Sequence, residues 1–344
     1  MAERLAILWA IFVALVPRVA PGVPGQPGIA RDERGDRGAG GVVPRDLPWP
    51  VEGELRVCVI LVAFADLAPV LELAEVEEIL FGATGRSMRD YFLEASGARL
   101  RLEGDVAGWV QAAGPHAAYG ANRADGTDTA PRALAAEAVA AADPLVDFAE
   151  YDHDGDGTVD GLLIMHAGTG EERGGPDDVW SHTGRLDLEV DGVRVAVYGM
   201  GPELQRDEGQ THPTTIGVYC HELGHGLGLV DLYDTTFQSS GIGPFGLMGT
   251  GAWGTRERWP GDGPALPCAW SRLRLGWATE RPIQEGSHLA ERADVWITSL
   301  GCAPGERFLL EVRLAEGFDA ALPGSGLLIW HVDDPAGDNH DPAR

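Results

Sequence analysis

The chain has 344 residues, of which 53 are acidic and 26 basic, giving a formal net charge of −27. A surface this acidic repels nucleic acid and anionic membranes and favours divalent cations, so we expect no nucleic-acid partner and no stable membrane association once a leader is removed. The length is enough for one sizeable core or two subdomains.

The N-terminus has the features of an export signal. Arg4 precedes an apolar run from Leu5 to Val16, which is too short to span a bilayer but suits the central region of a signal peptide. We therefore predict a signal peptide over residues 1–22, with a retained N-terminal anchor as the alternative. Residues 23–50 contain much glycine, proline and charge, which predicts a disordered linker or a propeptide remnant.

The rest of the chain, residues 51–344, predicts one α/β domain. Continuous or alternating apolar runs indicate strands, and apolar residues at helical spacing indicate helices. The predicted strands cover residues 56–65, 100–110 (as a strand or hairpin), 161–166, 294–300, 307–313 and 327–332, and the predicted helices cover residues 74–80, 87–95 and 132–142. We expect a mixed sheet in an N-terminal subdomain that reaches about residue 232, followed by a β-rich C-terminal subdomain over residues 233–344.

An acidic loop before the third predicted strand has the spacing of a calcium-binding loop. Its oxygen-bearing side chains are those of Asp152, Asp154, Asp156, Thr158 and Asp160. Carboxylates at loop positions 1, 3, 5 and 9 with a glycine at position 6, here Gly157, match a calcium loop, although Leu163 replaces the glutamate at position 12. We predict that calcium binds, because carboxylates this close repel each other without a cation. The alternative is an acidic surface turn.

The most informative stretch is His-Glu-Leu-Gly-His at residues 221–225. Side chains four positions apart lie on the same face of a helix, so His221 and His225 can bind one metal ion together. Glu222 then lies beside the metal, where a zinc hydrolase needs a general base for the bound water. Pro213 is predicted to occupy the first turn of this helix. The alternative is a pair of histidines on a solvated helix face.

The residues after the second histidine indicate the third ligand. Gly226 and Gly228 weaken the helix at this point, which lets the chain swing back and bring Asp231 to the metal. A thermolysin-like site would take a glutamate from farther along, but no glutamate occurs between His225 and Glu257. The spacing instead resembles the metzincin pattern, with Asp231 in the place of the last histidine. We predict that zinc binds to the two histidines and Asp231.

A methionine turn is the second metzincin feature. Metzincins have such a turn beneath the zinc site, and residues 245–251 form a glycine-rich segment with Met248 at its centre. We predict that Met248 forms this turn, the alternative being a methionine that only fills the core. The predicted fold class is therefore a metzincin-like α/β zinc peptidase.

Four cysteines permit up to two disulfides, in three connectivities, if the protein is exported. They are Cys58, Cys220, Cys268 and Cys302. None has the CxxC spacing of a metal site.

Several motifs together resemble the immune inhibitor A family of secreted bacterial metallopeptidases. They lie at residues 87–96, 154–160, 221–234, 243–248, 251–254, 269–270, 275–277 and 326–333. The resemblance covers most of residues 55–335 and implies a secreted bacterial enzyme that acts on proteins or peptides. The catalytic region of the family usually continues beyond the last motif, whereas this chain ends at Arg344, so a truncated C-terminal subdomain is an open alternative.

The sequence therefore predicts a secreted zinc endopeptidase in which Glu222 activates a zinc-bound water. Two alternatives remain open. One is a catalytically silent, calcium-stabilised binding or adhesion module, against which the intact Glu222 argues. The other is a zinc hydrolase that cleaves a non-peptide amide.

Overall fold

The central sheet is built from strands whose side chains alternate between two buried faces. The computed structural model describes residues 49–233, 239–284 and 291–334, so the predicted signal peptide and almost all of the predicted linker lie outside the described residues. Along the first strand, Val57, Val59 and Leu61 pack into the core on one face of the sheet. Cys58 and the next alternate residues pack into the core on the other face, as the period of a strand requires.

The described residues contain ten strands in two sheets. They are β1 (Gly53–Ala63), β2 (Leu100–Gln111), β3 (Leu162–Thr169), β4 (His182–Val190), β5 (Val193–Asp207), β6 (Gln210–Pro213), β7 (Thr279–Pro282), β8 (Asp294–Thr298), β9 (Glu306–Arg313) and β10 (Gly326–Asp333). The first sheet has the order β2-β1-β3-β5-β4, and β6 also pairs with β5. The second sheet has the order β10-β9-β8-β7. The predicted mixed α/β fold is confirmed at this level.

Both sheets are mixed. In the first, β1 is parallel to β2 and β3, and β3 is parallel to β5. The strands β4 and β6 are antiparallel to β5. In the second sheet β7 and β8 are parallel and the other pairs antiparallel.

Six α-helices lie in the described ranges. They are α1 (Leu73–Phe81), α2 (Met88–Ala95), α3 (Ala117–Gly120), α4 (Pro131–Ala142), α5 (Ile216–Gly226) and α6 (Ala269–Arg274). Buried side chains of α1, α2 and α5 share one core cluster, and those of α4 belong to the cluster on the opposite face of the sheet. The first sheet is therefore covered by helices on both faces, and α5 lies in the layer that contains α1 and α2.

The residue ranges predicted for three helices and five strands agree with the structure to within a few residues. The segment at 100–110, predicted as a strand or a hairpin, is the single strand β2, which pairs with β1 in parallel. The strands β4, β5, β6 and β7 and the helices α3 and α6 were not predicted. Three of these strands, between residues 182 and 213, lie next to α5 in the chain.

The placement of Pro213 in the first turn of α5 is wrong. Pro213 ends β6 and pairs with Leu204, and the helix begins at Ile216, after an extended Thr215. Pairing with β5 takes up the residues before the helix, which leaves Pro213 at the end of a short strand, where proline is tolerated.

All four cysteines are free, so neither of the two possible disulfides is formed. Three of the thiols are buried. Burial raises the pKa of Cys58 to about 12, which makes its thiol unreactive. No helix in the described part of the chain is long and apolar enough to cross a bilayer.

Candidate metal centre and cleft

Glycines in β5 allow α5 to pack close to the first sheet. A Cβ atom on Gly199 would lie 3.2 Å from Cβ of Glu222, and one on Gly201 would lie 3.1 Å from the ring of Tyr219. The tyrosine hydroxyl donates a hydrogen bond to the carbonyl of Pro202, also in β5, over 3.1 Å. The absence of side chains at these two positions therefore places Glu222 directly over the sheet.

The end of α5 turns the chain back as the glycine pattern predicted. The helix ends at Gly226, and Gly228 has a φ of +92°, a conformation that glycine adopts without strain. The amide of Leu229 donates to the carbonyl of Gly224 over 3.0 Å. This reversal returns Asp231 to the side of the helix that carries the histidines.

The structure brings the three predicted zinc ligands together. The Nε2 atoms of His221 and His225 lie 3.2 Å apart. Oδ1 of Asp231 lies 3.1 Å from the first of these nitrogens and 3.3 Å from the second. Both histidines are buried, so the solvated-face alternative is wrong. In a tetrahedral zinc site with bonds of about 2.0–2.1 Å, neighbouring ligand atoms are separated by roughly 3.3 Å, and the observed spacing fits such an ion.

Hydrogen bonds to the other ring nitrogens fix which atoms face the centre. Nδ1 of His221 lies 3.2 Å from the carbonyl oxygen of Leu247, and Nδ1 of His225 lies 3.0 Å from that of Leu229. A carbonyl oxygen only accepts, so each Nδ1 must donate, and in a neutral imidazole Nε2 then carries a lone pair. Two such lone pairs and one carboxylate oxygen converge, which is a donor set for a cation.

The ionisation of the cluster also favours a cation at this point. Burial opposes protonation of His225, but the carboxylate of Asp231 outweighs it and raises the pKa of His225 to about 9. Burial likewise opposes ionisation of Asp231, yet the two histidines hold its pKa well below the ordinary value. Positive charge, from a proton or a metal ion, stabilises this cluster.

Glu222 is buried beside the cluster and is held by a residue of β4. The hydroxyl of Thr183 lies 2.9 Å from Oε2 of Glu222 and 2.9 Å from its backbone carbonyl. Because both acceptors belong to one residue, this contact fixes the direction of the carboxylate relative to the helix. One carboxylate oxygen is left to meet a water or a substrate.

The turn around Met248 packs directly beneath the ligands. Sδ of Met248 would lie 3.0 Å from a Cβ atom on Gly224, which stands between the two histidines on α5. The carbonyl of Met248 accepts from the amide of Leu232 over 2.8 Å, next to Asp231. The ring of Tyr233 stacks on His221 with 6.3 Å between ring centres. Met248 is fully buried and contacts both chain segments that carry the ligands.

A cleft pocket opens next to the cluster and encloses about 290 Å³, its open mouth included. It is lined by His221 and Glu222 together with Glu172, Trp180, Ser181, Val218, Ala252 and Trp253. Ser181 Oγ donates to Oε1 of Glu172 over 2.7 Å. Two residues farther along, Thr183 donates to Glu222. Ser181 and Thr183, on one extended segment, therefore each hold one glutamate of the pocket.

Sequence reasoning did not find Thr183, Glu172 or Ser181. Their roles depend on long-range packing, and no spacing along the chain signals them. His182, between the two donors, faces the other way and bonds the hydroxyl of Tyr198 over 2.9 Å. His166 is fully buried within β3, and burial lowers its pKa to about 4. Neither histidine lines the cleft pocket.

The acidic loop is ordered by its own backbone. Asp152, Asp154 and Asp156 offer oxygens within 4.8 Å of one another. Oδ1 and Oδ2 of Asp152 accept from the amides of Gly155 and Gly157 over 2.9 and 3.0 Å. Asp160 lies outside that group.

The last two residues of the acidic loop have separate contacts. The amide of Thr158 donates to Oδ1 of Asp156 over 2.7 Å. Asp160 is buried, and it accepts from the amide of His153 over 3.0 Å. Burial, reinforced by the carboxylates of Asp154 and Asp156, raises the pKa of Asp160 to about 7. Negative charge is therefore poorly compensated in this loop.

Comparisons with known proteins cover the region that carries these features. The family model of the immune inhibitor A peptidase M6 catalytic domain matches residues 77–278. The chain is 33% identical over 201 residues to immune inhibitor A of Bacillus thuringiensis subsp. alesti, which is 50% of this chain and 29% of that protein. It is 33% identical over 218 residues to the pre-pro-metalloprotease PrtV of Vibrio cholerae serotype O1, which is 55% of this chain and 23% of that protein. The match thus spans less than a third of each relative.

The packing of Trp49 against the end of α5, the helix that carries the two histidines, can be tested by mutation. Trp49 is buried against Gly226, whose carbonyl accepts from the tryptophan amide over 2.9 Å, and a Cβ atom on Gly226 would lie 2.1 Å from the indole ring. Alanine is the better helix former by roughly 1 kcal/mol, but overpacking costs about 1–3 kcal/mol. We expect Gly226→Ala to lower the free energy of unfolding by about 1 kcal/mol, measured by denaturant titration.

The matched control makes the same substitution in a Trp49→Ala variant, which lacks the indole ring. In that variant Gly226→Ala should leave the free energy of unfolding unchanged or raise it, because only the higher helix propensity of alanine then acts. A stabilising Gly226→Ala in the unmodified chain would contradict this packing.

Proposed function

Because the chain belongs to the immune inhibitor A family of M6 peptidases, as its motifs predicted, we propose that it is a secreted zinc-dependent endopeptidase. The observation that carries the proposal is the convergence of two histidine nitrogens and one carboxylate oxygen beside the buried Glu222. Its substrates are peptide bonds in proteins or peptides. Export rests on the N-terminal signal pattern in residues 1–22 and on the family resemblance.

Zinc suits this donor set better than calcium or magnesium does. Two imidazole nitrogens and one carboxylate oxygen make a three-ligand set that leaves a fourth tetrahedral position open, as catalytic zinc sites do. Calcium and magnesium prefer oxygen ligands alone. Zinc, when bound, lowers the pKa of a coordinated water to about 7 and polarises the scissile carbonyl.

The protein's own contribution to the reaction centres on Glu222. Its carboxylate takes a proton from the attacking water and returns it to the nitrogen of the leaving amine. Thr183 holds one carboxylate oxygen and the backbone carbonyl of the same residue, each over 2.9 Å, so the other oxygen stays directed for this transfer. The backbone carbonyls of Leu247 and Leu229 hold the two imidazoles with Nε2 toward the metal.

The metzincin-like assignment is part of the proposal. It is supported by the chain reversal after Gly228 and by Met248, whose sulfur lies against α5 between the two ligand histidines. We assign the whole of residues 51–344 to this catalytic domain, with its N-terminal subdomain ending near residue 232.

The acidic loop is proposed to bind calcium and to act in stability. Hard oxygen ligands suit calcium, and the amides that cap Asp152 preorganise its carboxylate. The loop leads directly into β3, which pairs with β1 and β5 at the centre of the sheet. Calcium here would fix the start of that central strand.

The third ligand is tested by metal analysis. Asp231→Ala removes the only carboxylate from the proposed ligand set, so the purified variant should contain less zinc, and bind added zinc more weakly, than the unmodified protein. Asp187→Ala is the matched control, because Asp187 is exposed on β4. Undiminished zinc in Asp231→Ala would exclude Asp231 as a ligand.

The base is tested by casein cleavage with and without a zinc chelator. Glu222→Ala should keep its zinc and its melting temperature but cleave at least about a hundredfold more slowly, the lower range for loss of a general base. Glu77→Ala, at an exposed position of α1, should cleave normally. If Glu222→Ala cleaved casein as fast as the unmodified protein, this mechanism would be wrong. An unmodified protein that holds zinc but cleaves no peptide bond would favour the binding module or the non-peptide hydrolase.

The calcium loop is tested by thermal unfolding. A ligand that binds only the folded state stabilises it by mass action, so calcium should raise the melting temperature of the unmodified protein. The double variant Asp154→Ala/Asp156→Ala should lose that rise and keep its zinc. A control with the same loss of charge, Asp143→Ala/Asp187→Ala, should respond to calcium normally. If calcium raised the melting temperature of all three proteins equally, the acidic loop would not be the calcium site.

A further inference from the structure

The cleft pocket contains a buried glutamate that the proposed chemistry does not use. Glu172 is 6% exposed. Its carboxylate accepts from the hydroxyl of Ser181 over 2.7 Å and from the amide of the same serine over 3.4 Å. A Cβ atom on Gly170 would lie 2.6 Å from both carboxylate oxygens, so the glycine makes room for this carboxyl group.

Glu172 forms no salt bridge within the described ranges, although the charge of Arg173 is close enough to interact with it. The neighbouring Arg173 turns away: its guanidinium pairs with Asp207 over 2.8 Å and lies 4.7 Å from the ring centre of Trp253. Burial raises the pKa of Glu172, the hydroxyl of Ser181 opposes that rise, and the nearby Glu222 adds to it. The groups in direct contact with this buried carboxyl are neutral donors, so it lacks a counter-ion at hydrogen-bond distance.

The remaining wall of the pocket suits a long side chain with a cationic end. Val218 and Ala252 offer apolar surface on which the methylene groups of lysine or arginine can lie. Trp180 and Trp253 add two indole rings, and that of Trp253 already attracts the guanidinium of Arg173. The lining contains two carboxyl groups, those of Glu172 and Glu222, and no lysine or arginine.

The position of the pocket determines which part of a substrate it receives. His221 and Glu222 are among the residues that line it, so an occupant lies next to the reacting bond. We propose that the pocket binds a lysine or arginine side chain adjoining the scissile peptide bond, with Glu172 as its specificity-determining residue. This inference rests on the endopeptidase function proposed above.

The test is a set of fluorogenic peptides with lysine, arginine, norleucine or glutamine at each position flanking the cleaved bond. Norleucine keeps the length of the lysine stem without its charge. We expect the unmodified protein to cleave the best basic peptide at least about tenfold faster, in kcat/KM, than its norleucine counterpart, since a charge-assisted contact is lost. In Glu172→Gln that ratio should fall to about one, with kcat/KM for the norleucine peptide preserved.

Two further variants separate specificity from folding. Glu77→Gln makes the same change of charge at an exposed site and should keep the preference. Ser181→Ala removes the hydroxyl that holds the Glu172 carboxylate but keeps the carboxylate itself, so it should reduce the preference for basic over norleucine peptides less than Glu172→Gln does. If Glu172→Gln loses all activity, the test rests on the unmodified protein alone. Its kcat/KM for the best basic peptide must then be at least about tenfold that for the norleucine peptide.

The outcomes distinguish this inference from the proposed function. Cleavage of casein and peptides with no preference for lysine or arginine would overturn the pocket assignment and leave the endopeptidase intact. A preference that survives in Glu172→Gln would also overturn it. Absence of any cleavage by the unmodified zinc-loaded protein would overturn the proposed function itself.

Discussion

The whole site depends on one arrangement, in which two imidazole lone pairs and a carboxylate oxygen point at a common centre. Separations of 3.1–3.3 Å between such atoms are repulsive unless positive charge lies among them. The backbone carbonyls of Leu247 and Leu229 prevent the rings from escaping this repulsion by turning Nδ1 inward. The fold thus holds a donor set that a cation stabilises.

The rest of the structure can be understood as support for that arrangement. Glycines in β5 let α5 lie against the sheet, and Gly228 reverses the chain so that Asp231 reaches the histidines. Met248 and Trp49 fill the space around the helix where Gly224 and Gly226 lack side chains. Core burial on both faces of the sheet keeps these elements rigid, which is what a preorganised ligand set requires.

The sequence predicted the parts of the site that depend on local periodicity. Their spacing of four residues places His221 and His225 on the same face of a helix, and the paired glycines predict where that helix ends. It did not reveal β5, whose 15 residues include Pro202 and two glycines, features that argue against a central strand. Thr183 and Glu172 were missed for a different reason: they reach the site through tertiary packing, with Thr183 separated from Glu222 by 39 positions along the chain.

The central claim is most directly tested by X-ray absorption at the zinc edge of the zinc-loaded protein. The account predicts nitrogen and oxygen ligands at about 2.0–2.2 Å, with the outer-shell scattering of two imidazole rings. A sulfur ligand at about 2.3 Å, or scattering from fewer than two imidazoles, would contradict it.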